Sequence, residues 1–232
     1  MLKSVVPRIH RAGWPFIGLF AAVALALGLL FEPLGWVGAA ATLWCVAFFR
    51  DPERVPPAGS DLVVAAADGV VMRVCEAAPP QELGLGDEPL TRVSVFMNVF
   101  DVHVNRIPVD ATVTKLAYRP GRFFNATLDK SSEHNERMSI RLSTASGHDL
   151  AVVQIAGLVA RRIQCGLAPD QRVRAGERFG IIRFGSRVDI YLPQGFRVFA
   201  REGQRAVAGE TVIAQAVSGG PSGGAARPTG AD

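Results

Sequence analysis

Three stretches of the chain carry side chains able to do chemistry. In Asp68-Gly-Val-Val71 a carboxylate beside a glycine separates two apolar runs. It reads as a plain turn or as an acid that orients and charge-stabilises a histidine. In Phe100-Asp-Val-His-Val-Asn-Arg-Ile-Pro108, His103 stands among apolar neighbours with a carboxylate, an amide and a guanidinium within three positions. A satisfied, half-buried imidazole and a general base both fit that setting. In Arg183-Phe-Gly-Ser-Arg187 a Gly-Ser pair is flanked by strand-like residues, which by itself reads as a bulge with a small side chain. The remaining histidines have bland settings: His10 in a basic flank, His134 in a polar loop, His148 in a Ser-Gly-His-Asp turn. No paired-histidine or Cys/His spacing suggests zinc, so no metal is expected. Cys45, Cys75 and Cys165 are scattered and odd in number, which argues for a reducing compartment rather than a disulfide framework.

The elements that must position these residues fall into two parts. Between Trp14 and Phe49 the only charge is Glu32. As one helix this stretch would be about 54 Å long, against a hydrocarbon core of about 30 Å, and it is too long for a signal peptide. Glu32-Pro-Leu-Gly35 divides it, so residues 1–50 are expected to form an apolar helical hairpin. Lys3, Arg8 and Arg11 before it and Arg50 and Arg54 after it place both ends on the cytoplasmic side of the cell membrane. A helical pair buried in a soluble fold is the competing reading.

Pro52, Pro56, Pro57 and Gly59 read as a linker. Beyond it, short Val/Ile/Phe runs punctuated by Gly and Asp predict strands over residues 62–66, 69–75, 92–96, 111–118, 137–143, 150–156, 179–182, 188–192 and 211–214, with a helical turn over 157–163. The expected class is mainly β, a barrel-sandwich-like catalytic domain over residues 51–215. A weak repeat, Arg172-Val-Arg-Ala-Gly-Glu177 and Arg205-Ala-Val-Ala-Gly-Glu210, supports it with two glycine turns. Residues 216–232 are too rich in Gly, Pro and Ser to pack and read as a disordered tail.

With 232 residues, 49% hydrophobic and 20% charged, the chain is too apolar for a disordered protein and long enough for one real core. Its mean hydropathy of +0.22 is concentrated in the hairpin. A net charge of +4 favours anionic partners only weakly. Nothing resembles a basic, aromatic-interleaved nucleic-acid surface, so no nucleic acid is expected.

Taken in order, the hairpin, Asp68-Gly-Val-Val71, the His103 stretch, Pro120-Gly-Arg-Phe-Phe-Asn-Ala126, Glu133-His-Asn-Glu-Arg137, Gln154-Ile-Ala-Gly157, Ala160-Arg-Arg-Ile163 and Phe184-Gly-Ser186 closely resemble the phosphatidylserine decarboxylase family in its short bacterial form. The resemblance runs from about residue 7 to residue 215. It implies a proenzyme that cuts itself between Gly185 and Ser186 into a β chain, residues 1–185, and an α chain, residues 186–232, which remain together as a heterodimer or larger oligomer. It also implies that Ser186 becomes a covalent pyruvoyl group whose ketone joins the amine of phosphatidylserine, so that CO₂ leaves and phosphatidylethanolamine forms. His103 matches the first of two histidines that long-form members of the family carry, and Arg106 stands at the second. By resemblance, His103 is the base for Ser186 and Asp68 its charge partner, while Arg137, Arg161 and Arg162 are candidates for holding substrate phosphate or carboxylate. The expected location is the cytoplasmic face of the cell membrane, on its lipid surface.

Two other readings stay open at this level: a membrane-anchored, non-catalytic adaptor of the biotinyl or lipoyl type, which lacks its attachment lysine, and a decarboxylase of an archaeal-type serine lipid.

Overall fold

The computed structural model describes residues 7–59, 61–121, 135–157, 163–183 and 185–217. It begins with the hairpin. Helix α1 (Trp14–Leu30) and helix α2 (Glu32–Phe48) are joined at Phe31, whose backbone is extended. The break falls one residue before the predicted Glu32-Pro-Leu-Gly35, and Pro33 opens α2 rather than stopping α1. The first turn of a helix tolerates proline because its N–H groups have no intrahelical acceptor. Gly35 lies inside α2, where it backs onto Gly28, as Gly38 backs onto Ala24. Small residues let the two helices approach closely. The 17 residues of α2 rise about 26 Å, short of a full hydrocarbon core, whereas α1 with the turn before it, Arg11–Leu30, is 20 residues and long and apolar enough to cross one. Most of the outer apolar side chains, among them Leu25, Leu29, Leu30, Trp36 and Leu43, are exposed. A helical pair buried in a soluble core would cover them.

Strands β1 (Arg8–Ile9) and β2 (Arg50–Asp51) pair across the hairpin's open end and hold its two ends together there. The linker expectation needs correction, because residues 51–57 are strapped to the domain. Asp51 takes Arg106 and Arg178, Arg54 takes Asp68, and the Val55 N–H donates to Glu210.

The domain follows as β3 (Leu62–Val64), β4 (Gly69–Ala77), β5 (Leu90–Met97), β6 (Val104–Arg106), β7 (Ala111–Arg119), β8 (Arg137–Ser143) and β9 (Asp149–Ala156). It continues with β10 (Ile163–Cys165), β11 (Arg172–Val173), β12 (Arg178–Ile182), β13 (Ser186–Leu192), β14 (Phe196–Val198), β15 (Arg205–Ala206) and β16 (Val212–Ala216). Ile163 therefore opens a strand rather than ending a helical turn, and residues 158–162 lie outside the described residues. An eight-stranded antiparallel sheet, ordered β11-β7-β8-β9-β13-β5-β4-β15, curls as a half-barrel; sheets β10-β12-β6 and β14-β16-β3 complete the body.

Alternation along each strand sorts the two faces of the large sheet. Val188, Ile190 and Leu192 of β13, with Val93, Val95 and Met97 of β5, point into the main core beside Phe179, Ile182 and Ile213. The opposite face carries Val153, Ile155 and Tyr191 beneath Leu83. The two Ala-Gly-Glu turns sit at one end of the core. There the Gly176 carbonyl accepts from Arg106, and the Ala208 N–H donates to Asp68.

Candidate active site

Ser186 opens β13 at the centre of the large sheet, opposite Met97 of β5 and Ala156 of β9. It is fully buried, and its hydroxyl lies 3.9 Å from the Met97 sulfur, a weak acceptor. Gly185 before it has φ +65°, a left-handed conformation that costs other residues about 1–2 kcal/mol. A Cβ there would meet nothing within 4 Å, so backbone conformation rather than space calls for glycine.

The Met97 sulfur also accepts from Asn105 Nδ2 at 3.5 Å, and Asn105 Oδ1 accepts from Gln154 Nε2 at 2.8 Å. Ser186, Met97, Asn105 and Gln154 thus form a fully buried chain of contacts linking β13, β5, β6 and β9. Sequence reasoning quoted Asn105 and Gln154 within motifs but gave them no role. Their signal was an amide inside an otherwise apolar strand, since a buried amide must find partners. Gln154 Oε1 is buried without a partner among the described residues.

His103, immediately before β6, is fully buried, and its carbonyl accepts from the Ile182 N–H at 3.4 Å, four residues ahead of Ser186. Its Nδ1 lies 3.0 Å from the Asp101 carbonyl oxygen. A carbonyl only accepts, so in the neutral ring Nδ1 carries the hydrogen and Nε2 carries the lone pair. Nε2 is buried with no partner among the described residues. Burial pulls the imidazole down to about 4; the Asp101 hydrogen bond and carboxylate oppose that shift, and Arg50 adds to it. At neutral pH His103 is therefore uncharged and able to accept a proton.

Asp68 is nearly buried, and both its oxygens are occupied: Oδ2 by Arg54 at 2.8 Å and Oδ1 by the Ala208 N–H at 2.8 Å. Burial raises its pKa, with the Ala208 N–H and Arg54 opposing and the Asp101 carboxylate reinforcing. The structure gives His103 the Asp101 carbonyl instead of Asp68 as its polar partner. Gly69 is needed beside Asp68 because a Cβ there would lie 2.0 Å from the Phe96 carbonyl oxygen. Arg106 is held by the carbonyls of Gly176 and Pro52 and by Asp51, so its guanidinium braces the strap rather than replacing a histidine.

Arg137 is bound by both oxygens of Glu82 at 2.8 Å. It pairs with Ile155, which pairs with Arg187, so strand alternation puts Arg137 on the face opposite Ser186. That placement does not bring it to the candidate centre. Arg161 and Arg162 lie outside the described residues, as does His134. On the Arg137 face Arg187 and Asp189 form a buried ion pair, Nε to Oδ1 2.8 Å, just beyond Ser186. His10 accepts from the Ala12 N–H, and His148 contacts Ser146 and Phe196.

The site is thus a buried hydroxyl behind a left-handed glycine, with a buried imidazole just before the strand that pairs with the segment leading to it. Residues 41–214 match the sequence model of the Phosphatidylserine decarboxylase family. The chain is 60% identical over 206 residues to a phosphatidylserine decarboxylase proenzyme of Paramagnetospirillum magneticum, covering 89% of this chain and 86% of that protein. It is 54% identical over 218 residues to one of Cereibacter sphaeroides, covering 94% of each. Similarity of that depth extends over the hairpin, the curled sheet and the Gly185-Ser186 junction together, and with it the chain belongs to the phosphatidylserine decarboxylase family.

Proposed function

We propose that this chain is a self-processing decarboxylase that converts phosphatidylserine to phosphatidylethanolamine and CO₂, using a pyruvoyl group made from its own Ser186. The observation that carries the reading is the Gly185-Ser186 junction, a left-handed glycine before a buried hydroxyl in a member of this family. In the first step the Ser186 oxygen attacks the Gly185 carbonyl, the C–N bond breaks and an ester forms, while the proton lost by the hydroxyl passes to the departing nitrogen, which becomes a free amine. Loss of the Ser186 α-proton then expels the Gly185 carboxylate, ending the β chain at residue 185. The dehydroalanine left at position 186 takes a proton on its methylene carbon and gives one up from nitrogen to become an imine, and water then replaces the nitrogen, which leaves as ammonia. His103 Nε2, uncharged and bearing a lone pair, is our candidate for taking these protons.

The surroundings fit the group that results: Ser186 is fully buried, and the Asn105 and Gln154 carboxamides, which share its chain of contacts, carry N–H donors of the kind a carbonyl oxygen accepts from. When formed, the pyruvoyl group supplies the electron sink that a departing carboxylate requires. The α chain should stay bound after cleavage. Its first strand, β13, lies between β5 and β9, and β16 pairs with β3 of the β chain.

The direct test is release of labelled CO₂ from carboxyl-labelled phosphatidylserine in vesicles by the purified protein, with phosphatidylethanolamine as the other product. Absence of both products from fully cleaved protein would reject this substrate, and turnover of a serine lipid with archaeal-type tails alone would favour the other decarboxylase reading. The exposed hairpin supports attachment to a lipid surface, and the basic residues on both its flanks favour the cytoplasmic face. Replacing Leu25 and Leu29, 68% and 82% exposed, by aspartate should cut flotation with vesicles at least about tenfold without stopping chain cleavage. Unchanged flotation would count against the hairpin as anchor.

A further inference from the structure

The hairpin's open end is built into the candidate centre. Phe48, the last residue of α2, holds its ring 4.2 Å from the His103 imidazole, centroid to centroid, at a tilt of 32°. Both side chains are buried. Phe48 meets Phe49 edge-on at 5.0 Å, and Phe49 stacks on Phe16 of α1 at 5.6 Å. The Phe16 ring in turn carries the Arg183 guanidinium at 5.2 Å, two residues before Gly185. One run of aromatic rings therefore joins both helices to His103 and to the segment entering the Gly185-Ser186 bond.

We propose that Phe48 is a positioning residue, holding the His103 imidazole in the orientation that leaves Nε2 for the reaction, and that the hairpin is thereby part of the catalytic centre as well as an anchor. The proposal rests on the reading of His103 as the base. An imidazole has two nitrogens and two faces; the Asp101 carbonyl fixes Nδ1 and Phe48 covers one face. A ring so held has lost rotational freedom before reaction, which is what a positioned base requires. The charged groups facing it are the Asp101 carboxylate and the Arg50 guanidinium. Asp101 is bound by Arg205 and the Asn98 N–H, while Arg50 donates to the carbonyls of Ala47 and Phe100. Arg50 follows the Phe49 cap of α2, so the hairpin also supplies the cation that acts on the imidazole. Apolar Val102, Val104 and Ile181 pack with Phe48 in the same cluster and keep water out.

The test reads His103 directly in the uncleavable Ser186→Ala chain, held in phosphatidylcholine/phosphatidylglycerol nanodiscs. Histidine is isotope-labelled, and the His103 signal is assigned with His103→Gln. The parent signal should titrate near pH 4 as an Nδ1–H tautomer. Phe48→Leu, which keeps apolar volume without a ring face, should raise the midpoint by at least about one pH unit and mix the tautomers. Phe48→Tyr should retain the parent behaviour. In the chain that retains Ser186, Phe48→Leu should slow cleavage about tenfold and move its acid limb upward by the same amount. An unchanged midpoint and tautomer in folded Phe48→Leu, or in Phe48→Met should the leucine variant not fold, would overturn the proposal. Normal cleavage in His103→Gln would instead refute the base reading and leave the magnetic-resonance result standing on its own.

Discussion

Ser186→Ala should leave the 232-residue chain whole, while the unaltered protein runs as two chains. Without the hydroxyl there is no nucleophile for the Gly185 carbonyl, and the methyl group that replaces it fits the same buried space. Mass separates this chemistry from ordinary proteolysis. The shift to an ester and the elimination move atoms only within the chain, and the final exchange takes up water and releases ammonia. Summed over both chains the mass should exceed the precursor by about 1 Da, whereas a protease adds about 18 Da and leaves an N-terminal serine. The α chain should start at position 186 with no free amine and should be the only chain labelled by a hydrazine, with loss of decarboxylation. Cleavage of Ser186→Ala, or two chains carrying the 18 Da increment, would end the pyruvoyl proposal.

His103→Gln should slow chain cleavage by about 10²- to 10⁴-fold, the usual cost of removing a positioned base. Glutamine is uncharged at every pH of interest, so the variant's residual rate should carry no limb from this position, and the loss should shrink at low pH as the unaltered chain slows. The unaltered chain should behave differently. Its imidazole is held down to about 4 by burial, so the lone pair is present from neutral pH downward and is lost only as the pH falls through that value. Cleavage should therefore stay level from pH 7 to about pH 5 and drop below it. Asp68→Asn should act less strongly, because Asp68 contacts Arg54 and Ala208 rather than His103. A flat profile through pH 4 in the unaltered chain, or equal cleavage rates for the His103→Gln and unaltered chains, would remove His103 from the mechanism. Any cleaved fraction of either variant should be assayed separately for CO₂ release, since the same imidazole is available after cleavage.

The sequence by itself determined the parts that depend on local pattern. Two runs apolar on every side and divided at Glu32-Pro33 specified the hairpin, because a soluble helix keeps a polar face. Val/Ile-rich runs with period two between glycines specified the long strands of the sheet; β8, at Arg137–Ser143, starts and ends where the pattern placed it. The order of motifs was sufficient to place the Gly185-Ser186 junction within a family. Short strands such as β6 and β10 were not legible, since three residues have too little periodicity to register.

Only the tertiary structure decided which side chains meet. Asp68 and Arg54 are fourteen residues apart and form a pair because the strap folds back over the glycine turns, something no spacing rule encodes. Arg137 looked available for a substrate anion, yet the register of β8 against β9 turns it to the far face, where Glu82 takes it. Asn105 and Gln154 meet across 49 residues because two sheets close on each other and a buried amide must find its complement. Phe48 looked like part of a lipid anchor and lies instead against His103, since the open end of a hairpin has to pack on something apolar and here that surface includes the imidazole. Local pattern fixes which elements form because backbone hydrogen bonding and hydrophobic period act over a few residues. Which residues share a site is settled by sheet register and long-range closure, which depend on the whole core at once.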